Sequence, residues 1–304
     1  MRTLAFVGLL SSILPGFAAG PPALKAPGGA AQPRYSFKLG PFVTPPARTS
    51  GLLIRARINH GPEIRLLLDS GSQFVVLNRS AARKSGCMGG TDLDLVGAGL
   101  LSPATAKQLY AGTLEVGGLT LHHVPLLVAD HDLPGGIQGA FPLTIFASFL
   151  IRLDFPGKSL ELLPYPAAAP DPEGAIEALN RNDLLFVKGT VNQSREGYFL
   201  LDTGASYTAI SRKMARQLEI PEILAARISL QGGGEEMEAP IVCGNLRLRL
   251  GSREFATGPV VAVDLSTASR YHQVEVSGLF GYPALSRSVL MIDYRDGIVR
   301  IAPR

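Results

Sequence analysis

Two stretches of the chain alternate apolar and polar positions and then run fully apolar into an aspartate. In "GLLIRARINHGPEIRLLLDSG" (Gly51 to Gly71), Ile54, Ala56 and Ile58 alternate with Arg55, Arg57 and Asn59. A polar turn with Gly61 follows, and Leu66-Leu67-Leu68 ends on Asp69. In "DLLFVKGTVNQSREGYFLLDTG" (Asp183 to Gly204), Leu185, Val187 and Gly189 alternate with Phe186, Lys188 and Thr190, and Tyr198-Phe199-Leu200-Leu201 ends on Asp202. A period of two predicts strands, and the polar break predicts a hairpin whose second strand delivers the aspartate. After each aspartate come another apolar segment and a basic, Ala-containing stretch, "RSAARKSG" and "SRKMARQLE", which read as a helical turn or two.

The copies correspond further on. "GAFPLTIFASFLIRLDFPGKSLELLP" (Gly139 to Pro164) aligns with "GLFGYPALSRSVLMIDYRDGIVRIAP" (Gly278 to Pro303). The acidic motifs stand 133 residues apart (69 against 202), and Asp154 and Asp293 stand 139 apart, so only a small insertion separates the registers. The pattern is an internal duplication of about 120 to 130 residues, an ordinary domain length. It divides the chain into a first lobe over 46–166, a Pro/Ala-rich linker over 167–180 and a second lobe over 181–304. The Pro/Gly-rich stretch 21–45 reads as a leader.

Composition agrees with an all-β reading: 34 Gly and 23 Pro without any Trp suit a turn-rich protein, and 46% hydrophobic residues suffice for a packed core. The formal charge of +4 comes from scattered Lys and Arg. No basic stripe or interleaved aromatic motif is present, which speaks against nucleic-acid binding. Residues 1–20 have the layout of a secretory signal peptide: Arg2, an apolar run from Leu4 to Leu14, then small residues near Ala18 to Gly20. The expectation is a secreted or periplasmic protein without a membrane span once the signal is removed. Export permits a disulfide between Cys87 and Cys243, and two free thiols are equally compatible with the sequence.

A carboxylate at the end of an apolar strand needs a reason. One Asp-[Ser/Thr]-Gly-[Ser/Ala] tetrapeptide is explained by a turn. Two, in duplicated contexts, point to a pair. Two carboxyls a few ångströms apart cannot both ionise, so they hold one proton over a working pH range. The ionised member takes a proton from water while the other donates to a carbonyl oxygen. Ser70 and Thr203 offer hydroxyls that bond across to the opposite loop. Gly71 and Gly204 permit close backbone approach and donate N–H groups to the carboxylates.

On Asp69-Ser70-Gly71-Ser72, Asp202-Thr203-Gly204-Ala205 and the later Gly278-Leu279-Phe280-Gly281, the chain resembles an aspartic peptidase of the pepsin–retropepsin class, over residues 46 to 304. The resemblance implies an all-β, bilobed fold with two duplicated β lobes and a cleft between them. It implies Asp69 and Asp202 as catalytic residues, with Ser70, Gly71, Ser72, Thr203, Gly204 and Ala205 as the supporting loops. An extended peptide or protein is the substrate implied, with no cofactor and no metal. β-Hairpin flaps would fall at Leu95–Leu109 and Ser229–Pro240. The short linker favours lobe pairing within one chain, hence a monomer.

Two positions depart from the pattern: Pro142 stands where the second copy has Gly281, and Gln73 stands where it has Ser206. They support the alternative reading, a secreted peptide-binding protein of the same fold with weak or no catalysis. No Gly-x-Ser-x-Gly, His-Glu-x-x-His or P-loop motif is present. His122, His123 and His131, beside Asp130 and Asp132, fit no familiar metal spacing and read as a strand with exposed histidines. Glu235, Glu236 and Glu238 read as a solvated loop. Asp154 and Asp293 recur in hairpins and read as structural or surface groups.

Overall fold

The computed structural model describes residues 34–44, 48–96, 104–129, 136–165, 174–220, 227–232, 235–243 and 246–304, with two-residue strands at 6–7 and 12–13. The remainder of the expected signal peptide, much of the leader and linker, and Asp130, His131 and Asp132 lie outside the described residues.

The alternating stretches form the expected hairpins. Arg48–Ile58 pairs antiparallel with Glu63–Asp69, with Leu53 opposite Leu67 and Arg55 opposite Arg65. In the second lobe Leu184–Val191 pairs with Arg195–Asp202, with Phe186 opposite Leu200. Apolar side chains fall on buried faces and the arginines on the open one, as a period of two requires. Beyond each aspartate a short strand leads into a six-residue helix. Arg79–Lys84 is capped by Asn78, whose Oδ1 accepts from Ala81 N at 2.7 Å, and Arg212–Gln217 by Ser211, whose Oγ accepts from Met214 N at 3.0 Å. These side-chain acceptors start the helices where the apolar runs stop.

The returning strands lock each lobe. Gly139–Pro142 lies parallel to Glu63–Asp69 and antiparallel to Val75–Leu77. Val276–Gly281 lies in the same way between Arg195–Asp202 and Thr208–Ser211. Each therefore threads between the two strands that flank an aspartate loop. A Cβ on Gly139 would stand 1.9 Å from Val76 O, and one on Gly278 2.4 Å from Ala209 O, so only glycine permits this insertion. Phe141, Phe199 and Phe280 are fully buried beneath the loops, each worth about 2–3 kcal/mol of apolar burial.

Two hairpins, Leu150–Asp154 with Ser159–Leu163 and Ser288–Asp293 with Ile298–Pro303, join the lobes. Their inner strands pair with each other, Ile151 opposite Ile292 and Asp154 opposite Val289. Tyr35–Lys38 adds to one outer edge and Ile176–Arg181 to the other, giving six adjacent strands from both lobes within a larger sheet that continues through Ile176–Arg181 into Leu184–Val191. These flanking strands lie in chain assigned from sequence to the leader (21–45) and largely to the linker (167–180). Each covers a sheet edge that would otherwise leave backbone groups unpaired, and each buries an apolar side chain, Phe37 and Ile176.

Asp154 and Asp293 are structural, and buried rather than on the surface. Asp154 Oδ1 accepts from Gly157 N at 2.7 Å and Asp293 Oδ1 from Asp296 N at 2.9 Å, closing the two hairpin turns. His122 and His123 are exposed on the strand Leu119–Ala129. Cys87 is a buried free thiol. Among the described residues, no helix is long and apolar enough to cross a membrane.

Candidate active site

The ends of strands Glu63–Asp69 and Arg195–Asp202 bring Asp69 and Asp202 together at the junction of the lobes. Both residues are 0% exposed, so every polar atom on them needs a partner or a ligand. Asp69 Oδ1 accepts from Gly71 N at 2.8 Å. Asp202 Oδ1 accepts from Gly204 N at 3.0 Å and Ala205 N at 2.9 Å. Each loop thus folds its own backbone donors onto its own carboxyl, as an Asp two or three residues before a small residue does in a tight turn. The Oδ2 atoms of both aspartates have no hydrogen-bond donor elsewhere in the protein, and the two carboxyls lie close enough to share a proton with each other.

Gly71 and Gly204 do more than turn the chain. A Cβ on Gly71 would lie 2.7 Å from Asp202 Cγ, and one on Gly204 would lie 2.6 Å from Asp69 Cγ. Each carboxyl therefore rests against the glycine of the other lobe, an approach no other residue allows.

The hydroxyls beside them cross the interface as well. Thr203 Oγ1 accepts from Ser70 N at 3.0 Å and donates to Leu68 O at 2.9 Å. Reciprocally, Ser70 Oγ accepts from Thr203 N at 3.0 Å and donates to Leu201 O at 2.7 Å. Four buried hydrogen bonds so fix one loop against the other, each with a net worth of about 1 kcal/mol. Their cost if broken is larger, because they leave buried backbone groups unpaired. Ser72 Oγ donates within its own loop, to Phe74 O at 2.9 Å.

Burial and proximity act on the proton affinity. Asp69 is held well above the usual carboxylate range, first by removal from water and then by repulsion from Asp202, against a smaller lowering by Gly71 N–H. Asp202 is raised to about 6 by burial, the rise being limited by the Asp69 carboxyl and by the N–H groups of Ala205 and Gly204. The pair accordingly loses a first proton well before the second. Such a pair accepts a proton from one oxygen and donates one to another within the same site.

Both departures from the sequence pattern have a place in the packing. Gln73 Nε2 bonds to Asn182 O in the second lobe. Ser206, its counterpart, donates from Oγ to Ser50 O in the first lobe at 3.2 Å. The fourth residue after each aspartate thus ties its loop to the opposite lobe, by side chains of different length. Local pattern does not reveal these ties; the shared 133-residue offset of Gln73 and Ser206 is the signal that could have found them.

Pro142 lies opposite Asp69 in the parallel ladder, as Gly281 lies opposite Asp202. Its φ of −73° suits proline, and it starts the 3-10 turn Leu143–Phe146. The antiparallel pairing to Val75–Leu77 involves only Gly139 and Ala140, so no bond of that ladder requires an N–H from Pro142. Gly281 is under a different constraint: a Cβ there would stand 2.3 Å from Tyr207 O.

The strands expected to form flaps are hairpins. Thr91–Val96 pairs with Ala104–Val116, and Arg227–Gly232 pairs with Glu235–Cys243. Residues 97–103 and 233–234 lie outside the described residues. The short strands at 6–7 and 12–13 pair with the second and the first of these hairpins respectively.

A comparison with curated proteins finds no match. The family model described as "Aspartyl protease" matches the chain twice, over residues 54–140 and 187–284. The two matches fall one in each lobe and each contains one of the aspartates.

Proposed function

The chain belongs to the aspartyl protease family, and from that premise we propose that it is an endopeptidase in which Asp69 and Asp202, one from each lobe, activate a water molecule held between them. The observation that carries the reading is the pair of buried carboxyls facing each other, whose Oδ2 atoms have no donor elsewhere in the protein. Groups left in that state are costly unless a ligand completes them, and a water or a substrate carbonyl is the ligand they fit.

The pair works with one proton. The ionised carboxyl takes a proton from the water as its oxygen attacks the peptide carbonyl carbon. The protonated carboxyl gives its proton to the carbonyl oxygen, forming a neutral gem-diol. When that intermediate collapses, a proton passes to the nitrogen, the C–N bond breaks, and an acid and an amine leave. The pair is left holding one proton again. Backbone N–H groups fix the inner oxygens throughout, so little reorganises during the step. No covalent link to the protein forms.

The substrate is an extended peptide lying under the two hairpins, which pair edge to edge with a strand. The grounds for a binding protein without catalysis are Gln73, which bonds across to the second lobe, and Pro142, whose φ suits its strand end; we favour catalysis because both carboxyls are present together. We place the mature protein outside the cytoplasm, as a monomer, because of the charged, apolar and small-residue sequence of its first 20 residues and because both aspartates come from one chain.

Cleavage of a peptide library by the mature chain from acid to neutral pH, with Asp202→Asn alongside, tests the reading. Cleavage that the substitution abolishes supports it. A folded monomer that cleaves nothing at any pH overturns it. N-terminal sequencing of exported protein tests processing near residue 20.

A further inference from the structure

The turn that Gln73 holds carries a charge of its own. Asn182 and Asp183 form the tight turn between Ile176–Arg181 and Leu184–Val191, with Arg181 opposite Leu184 as the last pair. Both have left-handed backbones, φ 51° and 62°, which Asn and Asp tolerate best among residues with side chains. The bond from Gln73 Nε2 to Asn182 O fixes this tip against the loop that follows Asp69.

Asp183 is a carboxylate in want of a partner. Its side chain is exposed at the tip, yet partial removal from water raises its proton affinity. Among the described residues, no cation makes an ion pair with it. Gln73 stands four residues after Asp69, so its bond to Asn182 O sets the tip next to the loop that carries the first carboxyl of the pair. The equivalent position in the first lobe, 133 residues earlier, is the neutral and buried Ser50. This position thus carries a carboxylate in the second lobe and a neutral side chain in the first.

We propose that Asp183 is a specificity-determining residue that receives a basic side chain of the substrate, an inference that rests on the endopeptidase reading of the cleft. A lysine or arginine brought to the turn supplies the missing countercharge to Asp183, an exposed pair worth up to about 1 kcal/mol. Because Gln73 holds the turn before substrate arrives, little ordering is needed on binding.

The test uses peptides identical except for lysine or uncharged norleucine placed in turn at each position. Cleavage is measured with the wild-type chain, Asp183→Asn and Gln73→Ala. Binding is measured with Asp202→Asn and with Asp183→Asn added to it. Asn keeps the left-handed turn, so the fold is retained. The expected result is a preference for lysine of about threefold at one position, on one side of the scissile bond only. It falls to near parity in Asp183→Asn and is reduced in Gln73→Ala. The same preference appears in binding to Asp202→Asn and disappears from the double variant. Equal handling of both peptides, a preference that survives Asp183→Asn, or no binding of either peptide overturns the assignment. Preference in binding that depends on Asp183, from a wild-type chain that cleaves nothing, overturns the endopeptidase reading and leaves Asp183 as a selector of basic peptides.

Discussion

Gly204 of one lobe lies in contact with Asp69 of the other, so close that a methyl group on it would stand 2.6 Å from the carboxyl carbon. The spacing of the two acids is therefore set by an absent side chain. Gly204→Ala should fold and push the carboxyls apart. A displacement of about 1 Å at a reacting group costs about 100-fold in rate. Measurement of kcat on a cleaved peptide, with circular dichroism as the control for folding, checks this.

The raised proton affinities set the pH range of activity. Asp202 is brought to about 6 and Asp69 higher, so the singly protonated pair dominates near neutral pH. The profile of kcat/KM should rise with pH through about 6 and fall only where the second proton is lost. An optimum in strong acid, near the ordinary carboxylate range, would contradict it.

Stability responds in the opposite sense. A carboxyl whose folded pKa is raised from 3.8 to about 6 favours the fold below pH 4 and loses that contribution as pH rises through 6. Asp202→Asn removes the charge that must otherwise be buried. It should melt higher than the wild type at pH 7, by the equivalent of a few kcal/mol, and the difference should vanish by about pH 4. Thermal melts of both proteins across this range decide the matter.

Ser70→Ala removes an acceptor from Thr203 N and a donor to Leu201 O, both buried. The expected loss is about 1–3 kcal/mol for each group left unpaired. Thr203→Ser keeps the hydroxyl and should stay near the wild type. Urea unfolding of the two variants separates a hydrogen-bonding role from a packing role.

The equivalent positions Pro142 and Gly281 should tolerate change unequally. Gly281→Ala meets Tyr207 O at 2.3 Å and should destabilise by about 1–3 kcal/mol as the backbone is forced aside. Pro142→Ala should alter stability by only about 1 kcal/mol, through the entropy of the unfolded chain. Equal losses at both sites would mean that the two lobes are more alike here than their backbones indicate.

Much of the site was legible because its requirements are local. An apolar strand, an aspartate, a hydroxyl and a glycine recur as one short string, and their repetition at Asp69 and Asp202 exposes the duplication. The flanking strands Tyr35–Lys38 and Ile176–Arg181 were not legible. Their partners are hairpin edges that exist only once the chain has folded, and Pro, Gly and Ala around them mimic a linker. Gln73 read as a departure for a similar reason. Its partner is a carbonyl 109 residues away, at Asn182, and nothing in the local string indicates which side chain will be long enough to reach it. Asp154 and Asp293 sat in turn-like sequence, where an aspartate is as common on the surface as beneath it.

Leu150–Asp154 and Ser288–Asp293 lie side by side as corresponding parts of two similar halves. Were the halves identical, the site would read a peptide alike from either end. Joined on one chain, they are free to differ, and they do so at Ser50 and Asp183, Gln73 and Ser206, Pro142 and Gly281. The cleft thereby acquires a polarity, and a peptide and its reversed sequence become two different substrates.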